Sequence, residues 1–166
     1  VMNEAFKNNI HIETSSAFDV NIVEKLLENG KINKNTHVLC NGFKRDQYID
    51  NIARLINNGH KNTIPVIDNY EELDLLQGQI KGKFKIGIRI AAEEEPKFEF
   101  YTSRLGIGYK NIVSFYKKQI QENDNLELKM LHFFINTGIA DTSYYWNELV
   151  KCIKVFVALK KECPTL

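Results

Sequence analysis

Short apolar runs alternate five times with longer stretches of helical period, and that alternation constrains the fold more than any other feature of the chain. Ile10-His11-Ile12-Glu13-Thr14 reads as a first strand. Ser16 then stands as an N-cap, and Phe18, Ile22, Val23, Leu26 and Leu27 recur at helical spacing until Asn29-Gly30 ends them. His37 to Gly42 is a second strand closing on a glycine turn, followed by a helix through Tyr48, Ile49, Ile52, Leu55 and Ile56 that stops at Asn58-Gly59. Ile64 to Asp68 is a third strand, whose early Pro65 suits a first or edge position because proline cannot donate to a ladder. A short helix begins at Glu71. Phe84 to Ala92 is a fourth strand, Glu93-Glu94-Glu95-Pro96 an acidic loop, and the stretch near Ile112 to Gln121 a further helix. Leu126 to Ile135 is the fifth strand. A long helix from Asp141 to Lys161 follows, with Tyr144, Tyr145, Leu149, Ile153 and Phe156 on its apolar face; Tyr144-Tyr145-Trp146 reads as core.

Strands joined through helices by short connections run parallel, because each crossover returns the chain in the same direction. An open doubly wound sheet and part of a (β/α)8 barrel both satisfy this pattern. A complete barrel needs about 250 residues and this chain has 166, so composition alone favours the doubly wound sheet. No linker, repeat or low-complexity segment interrupts residues 1–166, which read as a single α/β domain.

Charge narrows the range of partners. Lys and Arg number 22 against 21 Asp and Glu, for a net charge of +1, and the lysines are spread along the chain. Nucleic acids and anionic membrane surfaces select basic faces, so neither is an expected partner. No apolar run approaches the roughly 20 residues of a membrane span. Cys40, Cys152 and Cys163 are odd in number and far apart, and the four histidines are scattered, so no metal site is expected. A reduced, cytoplasmic chain is the simplest expectation. Val1 to Lys7 reads as the middle of an amphipathic helix, as though the sequence opens inside a structural element.

In both candidate architectures function collects at the C-terminal ends of the strands. Those ends read Glu13-Thr14-Ser15-Ser16, Asn41-Gly42-Phe43-Lys44, Asp68-Asn69, Arg89 within the fourth strand, Arg104-Leu105-Gly106, and His132 through Gly138. Ser16 and Asp68 have a plain reading as helix caps. Glu71-Glu72 and Glu93-Glu94-Glu95 read as solvated charges. Arg89, set among Ile86, Ile88 and Ile90, must meet a partner or a ligand, because a guanidinium buried unpaired is very costly. There is no phosphate-binding Gly-x-x-x-x-Gly-Lys loop, no Gly-x-Gly-x-x-Gly after a strand and no Gly-x-Ser-x-Gly elbow.

Six stretches together resemble one family. They are Ile12-Glu13-Thr14-Ser15-Ser16-Ala17-Phe18-Asp19, Cys40-Asn41-Gly42-Phe43-Lys44-Arg45-Asp46-Gln47-Tyr48-Ile49, Ile67-Asp68-Asn69-Tyr70-Glu71-Glu72-Leu73, Ile86-Gly87-Ile88-Arg89-Ile90-Ala91, Ser103-Arg104-Leu105-Gly106 and Leu131-His132-Phe133-Phe134. In order and spacing they resemble the barrel domain of the fold-type III pyridoxal-phosphate decarboxylases, and Cys-Asn-Gly-Phe-Lys points to the branch that acts on arginine. The resemblance implies an incomplete PLP-binding barrel of the alanine-racemase-like type, its second to sixth strands, with the Schiff-base lysine before this stretch and the glycine-rich phosphate loop after it. It implies a decarboxylase of arginine in polyamine synthesis, with pyridoxal 5'-phosphate as cofactor and a homo-oligomeric parent, and a chain inactive by itself. By the same resemblance Glu13 lies near the Schiff-base lysine, Arg89 beneath the cofactor ring and Thr137 near the phosphate. Phe134 stands where many relatives carry a histidine stacked on the pyridine ring. Another basic amino acid or carboxynorspermidine as substrate, and a non-catalytic α/β binding module, remain open alternatives.

Overall fold

The computed structural model describes residues 2–91, 105–134 and 142–166. Its elements are α1 (Met2–Ala5), β1 (Ile12–Thr14), α2 (Ala17–Glu28), β2 (Val38–Cys40), α3 (Asp46–Asn57), β3 (Thr63–Ile67), α4 (Tyr70–Gln79), β4 (Phe84–Ala91), β5 (Ile107–Gly108), α5 (Ile112–Phe115), β6 (Leu126–Phe133) and α6 (Thr142–Glu162). A π-helical turn, Tyr116–Ile120, continues α5. Every strand pair is parallel, in the order β1-β2-β3-β4-β6. The two-residue β5 pairs with the end of β4, Ile90 to Ile107 and Ala91 to Gly108.

Strand order decides between the two architectures. A doubly wound sheet reverses direction at a switch point, whereas here the four long βα steps advance without reversal, as barrel staves do. The fold is α/β, a partial (β/α)8 barrel, as the resemblance implied, and not the doubly wound sheet that composition alone favoured. Nothing in composition encodes that choice; it depends on which neighbour each strand pairs with.

Local chemistry accounts for the element starts. Ser16 Oγ accepts from Asp19 N at 3.4 Å, and the Asp19 carboxylate accepts from Ser15 N at 2.8 Å, so cap and first turn bind each other. At α4 the cap is Asn69, whose Oδ1 accepts from Glu72 N at 2.9 Å; Asp68 is not a cap. Pro65 lies in a strand flanked on both sides, not at an edge. It sits where the ladder to β2 ends and that to β4 begins, so its missing N–H costs little.

The core lies between the sheet and its helices. α3 contributes Tyr48, Ile49, Ile52, Leu55 and Ile56, and β4 contributes Ile86, Ile88 and Ile90. The face of α6 differs from the periodic reading. Its buried positions are Glu148, Cys152, Val155 and Leu159, while Tyr145, Trp146, Ile153 and Phe156 are exposed. Glu148 tolerates burial because its carboxylate meets Lys151 Nζ at 2.6 Å, so the helix turns a charged position inward and Tyr145-Trp146 out of the core. All three cysteines are buried and reduced, and burial pushes the Cys40 thiol up to about 11. No described helix is long and apolar enough to cross a membrane, and no metal-binding cluster of His, Cys, Asp or Glu occurs among the described residues.

Candidate functional site

Parallel strands end on the same side of a sheet, so their C-terminal residues gather without any fold-specific device. Two polar clusters form there. The first joins β3, β4 and the loop after β2. Lys44 is 3% exposed; its ammonium donates to Gly42 O at 2.9 Å, to Val66 O and to Glu72 Oε2 at 3.2 Å. Glu72, 2% exposed, also accepts from Lys44 N and Asp68 N, both at 3.0 Å. Asp68 lies between two cations, 3.9 Å from Lys44 Nζ and 3.8 Å from Arg89 Nε. Burial raises the Asp68 pKa above its ordinary value; Lys44 and Arg89 oppose that shift and Glu72 adds to it.

The second cluster joins β1, β2 and β6. Asn41 Nδ2 donates to Glu13 Oε1 at 2.8 Å and lies 3.3 Å from His132 Nε2, with Glu13 Oε1 3.9 Å from the same ring nitrogen. Burial holds the His132 pKa below its ordinary value; Glu13 pulls it upward, while Arg89 and Lys44 press it down. Beside the second cluster Tyr48 Oη ties the ends of β1 and β2 together, 2.8 Å from Thr14 Oγ1, 2.9 Å from Thr14 O and 3.1 Å from Asn41 O. Desolvation drives that phenol far above its usual range.

Arg89 is in register with His132 on the neighbouring strand, so the two clusters adjoin. The Arg89 guanidinium carbon lies 5.7 Å from the centroid of the Phe134 ring, and Phe134 is 46% exposed. A cationic donor beside an open aromatic face suits a flat, anionic, aromatic group. Asn41 Oδ1, His132 Nδ1 and both Asp68 carboxylate oxygens are buried there with no hydrogen-bond partner. Buried polar atoms of that kind are few in native proteins and are expected where a ligand completes them.

Of the residues singled out from sequence, Glu13, Arg89 and Phe134 stand at this end of the sheet. Thr137, like Arg104 and Glu93 to Pro96, lies outside the described residues. Glu72, read as a solvated charge, is instead a buried ligand of Lys44, and Asp68 is part of the same cluster. The four-residue spacing of Asp68 and Glu72 across an Asn cap was their one signal. His132 gave only its place in an apolar strand.

No protein-family model matches the chain. In fold, it is similar to alanine racemase from Corynebacterium glutamicum, with a TM-score of 0.57 at 11% identity over 90% of this chain and 36% of that one. This likeness supports the α/β partial barrel described above. In sequence, the chain is similar to biosynthetic arginine decarboxylases. It is 29% identical over 161 residues to that of Prochlorococcus marinus strain AS9601, covering 92% of this chain and 24% of the relative. It is 24% identical over 133 residues to that of Rhodopirellula baltica and 25% identical over 135 residues to biosynthetic arginine decarboxylase 2 of Synechocystis, each covering 75% of this chain and 20% of the relative. The chain thus spans about a quarter of the length of the curated relatives it matches.

Proposed function

We propose that this chain forms part of the cofactor wall of a pyridoxal 5'-phosphate-dependent arginine decarboxylase. The observation that carries the reading is Arg89, held by Asp68 and facing the open ring of Phe134 at the strand ends. The buried atoms of Asn41 and His132 that make no hydrogen bond support it, because a polar ligand can complete them. The donor set fits the cofactor: Phe134 offers a flat apolar face, and Arg89 a cation for an anionic ring oxygen. Glu13 and Thr137 are the further proposed contacts. When bound, the cofactor supplies an electron sink for the carbanion left by departing carbon dioxide.

The chain's own residues then orient and exclude. Asp68 holds the Arg89 guanidinium, Glu13 and Asn41 hold His132, and Phe134 shields one face from water. Lys44 is not a site of covalent attachment, because its ammonium is fully buried and engaged by Gly42, Val66 and Glu72. The proposal extends to the whole protein as a cytoplasmic homo-oligomer that converts arginine to agmatine in polyamine synthesis.

Arg89→Ala in the full-length protein tests the reading. Loss of a hydrogen bond to a charged group costs about 1.5–3 kcal/mol, so pyridoxal 5'-phosphate affinity, read by absorbance titration, should weaken about ten- to a hundredfold. Unchanged affinity together with a large loss of stability would make Arg89 a structural ion-pair partner and favour a non-catalytic module.

A further inference from the structure

Glu13, Asn41 and His132 come from three strands and make a chain of contacts whose direction is determined at one end. The carboxylate of Glu13 can only accept, and Asn41 Nδ2 lies 2.8 Å from it. That contact sets which end of the Asn41 amide faces the site: the nitrogen, not the oxygen. The same nitrogen is 3.3 Å from His132 Nε2. An amide nitrogen only donates, so Nε2 must accept. A neutral imidazole that accepts at Nε2 carries its proton at Nδ1. His132 Nδ1 is buried with no hydrogen-bond partner, and so is Asn41 Oδ1.

A buried donor left unsatisfied is destabilising, so three side chains ordered to produce one call for an explanation. A second observation gives the direction. Arg89 is in register with His132 on the adjoining strand, and side chains in register on neighbouring strands share a face. A guanidinium and an imidazole N–H on one face select an anionic oxygen. The Asp68 carboxylate, 3% exposed and 3.8 Å from Arg89 Nε, offsets part of that positive charge.

We propose that Glu13 and Asn41 are positioning residues that hold His132 as its Nδ1–H tautomer, and that His132 donates this hydrogen to an anionic oxygen of the ligand bound beside Arg89. The tautomer follows from the chain's own contacts; the ligand's identity rests on the cofactor reading above. The charged groups around the ring agree with a neutral imidazole. Burial, Arg89 from β4 and Lys44 from the loop after β2 disfavour the imidazolium, with Glu13 from β1 opposing them.

The test is a long-range 1H–15N correlation spectrum of the full-length protein labelled at histidine and arginine, which separates the Nδ1–H, Nε2–H and imidazolium forms of the histidines and reports the arginine Nε signals. At pH 7.5 wild-type His132 should be the Nδ1–H form. Asn41→Asp, which offers Nε2 only acceptors, should turn it to the Nε2–H or imidazolium form. Glu13→Gln lets the Asn41 amide turn over and should shift the population toward Nε2–H, with the other histidines unchanged. A wild-type His132 found as Nε2–H or imidazolium, or one indifferent to Asn41→Asp, overturns the proposal. Titration with pyridoxal 5'-phosphate then reads the donor role. The His132 Nδ1 signal should move together with that of Arg89 Nε. If Arg89 responds and His132 does not, the donor role is wrong while the cofactor reading survives. If neither responds, the cofactor reading fails and the donor role with it.

Discussion

Replacing Lys44 with methionine removes the cation at the centre of the first cluster. Methionine keeps most of the stem's length and apolar volume, so repacking alone should cost less than about 1.5 kcal/mol. The ammonium is different. It is fully buried, satisfies Gly42 O and Val66 O, bonds Glu72 Oε2 at 3.2 Å and stands 3.9 Å from Asp68. Removing one partner of a buried pair typically costs about 3–5 kcal/mol. Two features hold the loss toward the lower end. Glu72 retains two backbone donors at 3.0 Å, and Asp68 retains Arg89 at 3.8 Å. The expected loss at pH 7 is therefore about 3–4 kcal/mol, a large share of the 5–15 kcal/mol that domains of this kind possess. Its pH dependence is the sharper signature. The Asp68 pKa is already raised by burial, and loss of Lys44 removes the main influence that lowers it. A group whose folded pKa lies above its unfolded value binds more protons in the folded state, so the variant regains stability relative to wild type as pH falls toward 4. Urea unfolding followed by far-ultraviolet circular dichroism at pH 7, 6 and 5 measures this. A loss below about 1 kcal/mol, or one that does not change with pH, would show that the ammonium is not a buried counter-ion. Adding Glu72→Gln should restore part of the loss.

Three further outcomes are expected. Gly106 has a φ of +102°, and a Cβ there would lie 2.8 Å from Ala91 N and 3.0 Å from Arg89 O; Gly106→Ala should therefore detach Ile107 from Ile90 and cost more than about 2 kcal/mol in a thermal melt. His60 and His132 both have pKa values lowered by burial from the ordinary 6.5, so their contribution to stability is complete above pH 6.5 and declines as pH falls below it. Urea midpoints should drop between pH 7 and 5 and drop less in His132→Gln; an unchanged slope would remove His132 from the account, while Asp68 contributes in the opposite sense. On α6, Trp146, Val150, Ile153 and Val157 form an exposed apolar row at helical spacing, so the isolated chain should self-associate in sedimentation runs, and a clean monomer at high concentration would contradict this.

The alternation of apolar runs and helical periods was legible because periodicity is a local property of the chain: β4, β6 and α3 lie close to where spacing placed them. Ser16 as a cap was legible for the same reason, since its partner Asp19 is three residues away. Arg89 announced itself as a charge in an otherwise apolar strand, and the strand-end position of Glu13 and Asn41 followed from parallel topology. Strand order, and hence barrel over doubly wound sheet, did not follow from periodicity or composition and was implied only by the family resemblance, because no residue of a strand encodes which neighbour it will pair with. Nor did the inward face of α6, which burial of Glu148 against Lys151 turns away from the most apolar stripe. Asp68 and Glu72 were misread for a related reason. Whether a carboxylate is solvated or buried depends on its counter-ion, and theirs is a lysine from the loop after β2, brought to them only by the pairing of β2 with β3. Residue types and spacing determined which chemistry the strand ends could hold. Tertiary structure decided which of those groups meet, because the cost of burying a charge is met by neighbours distant in sequence.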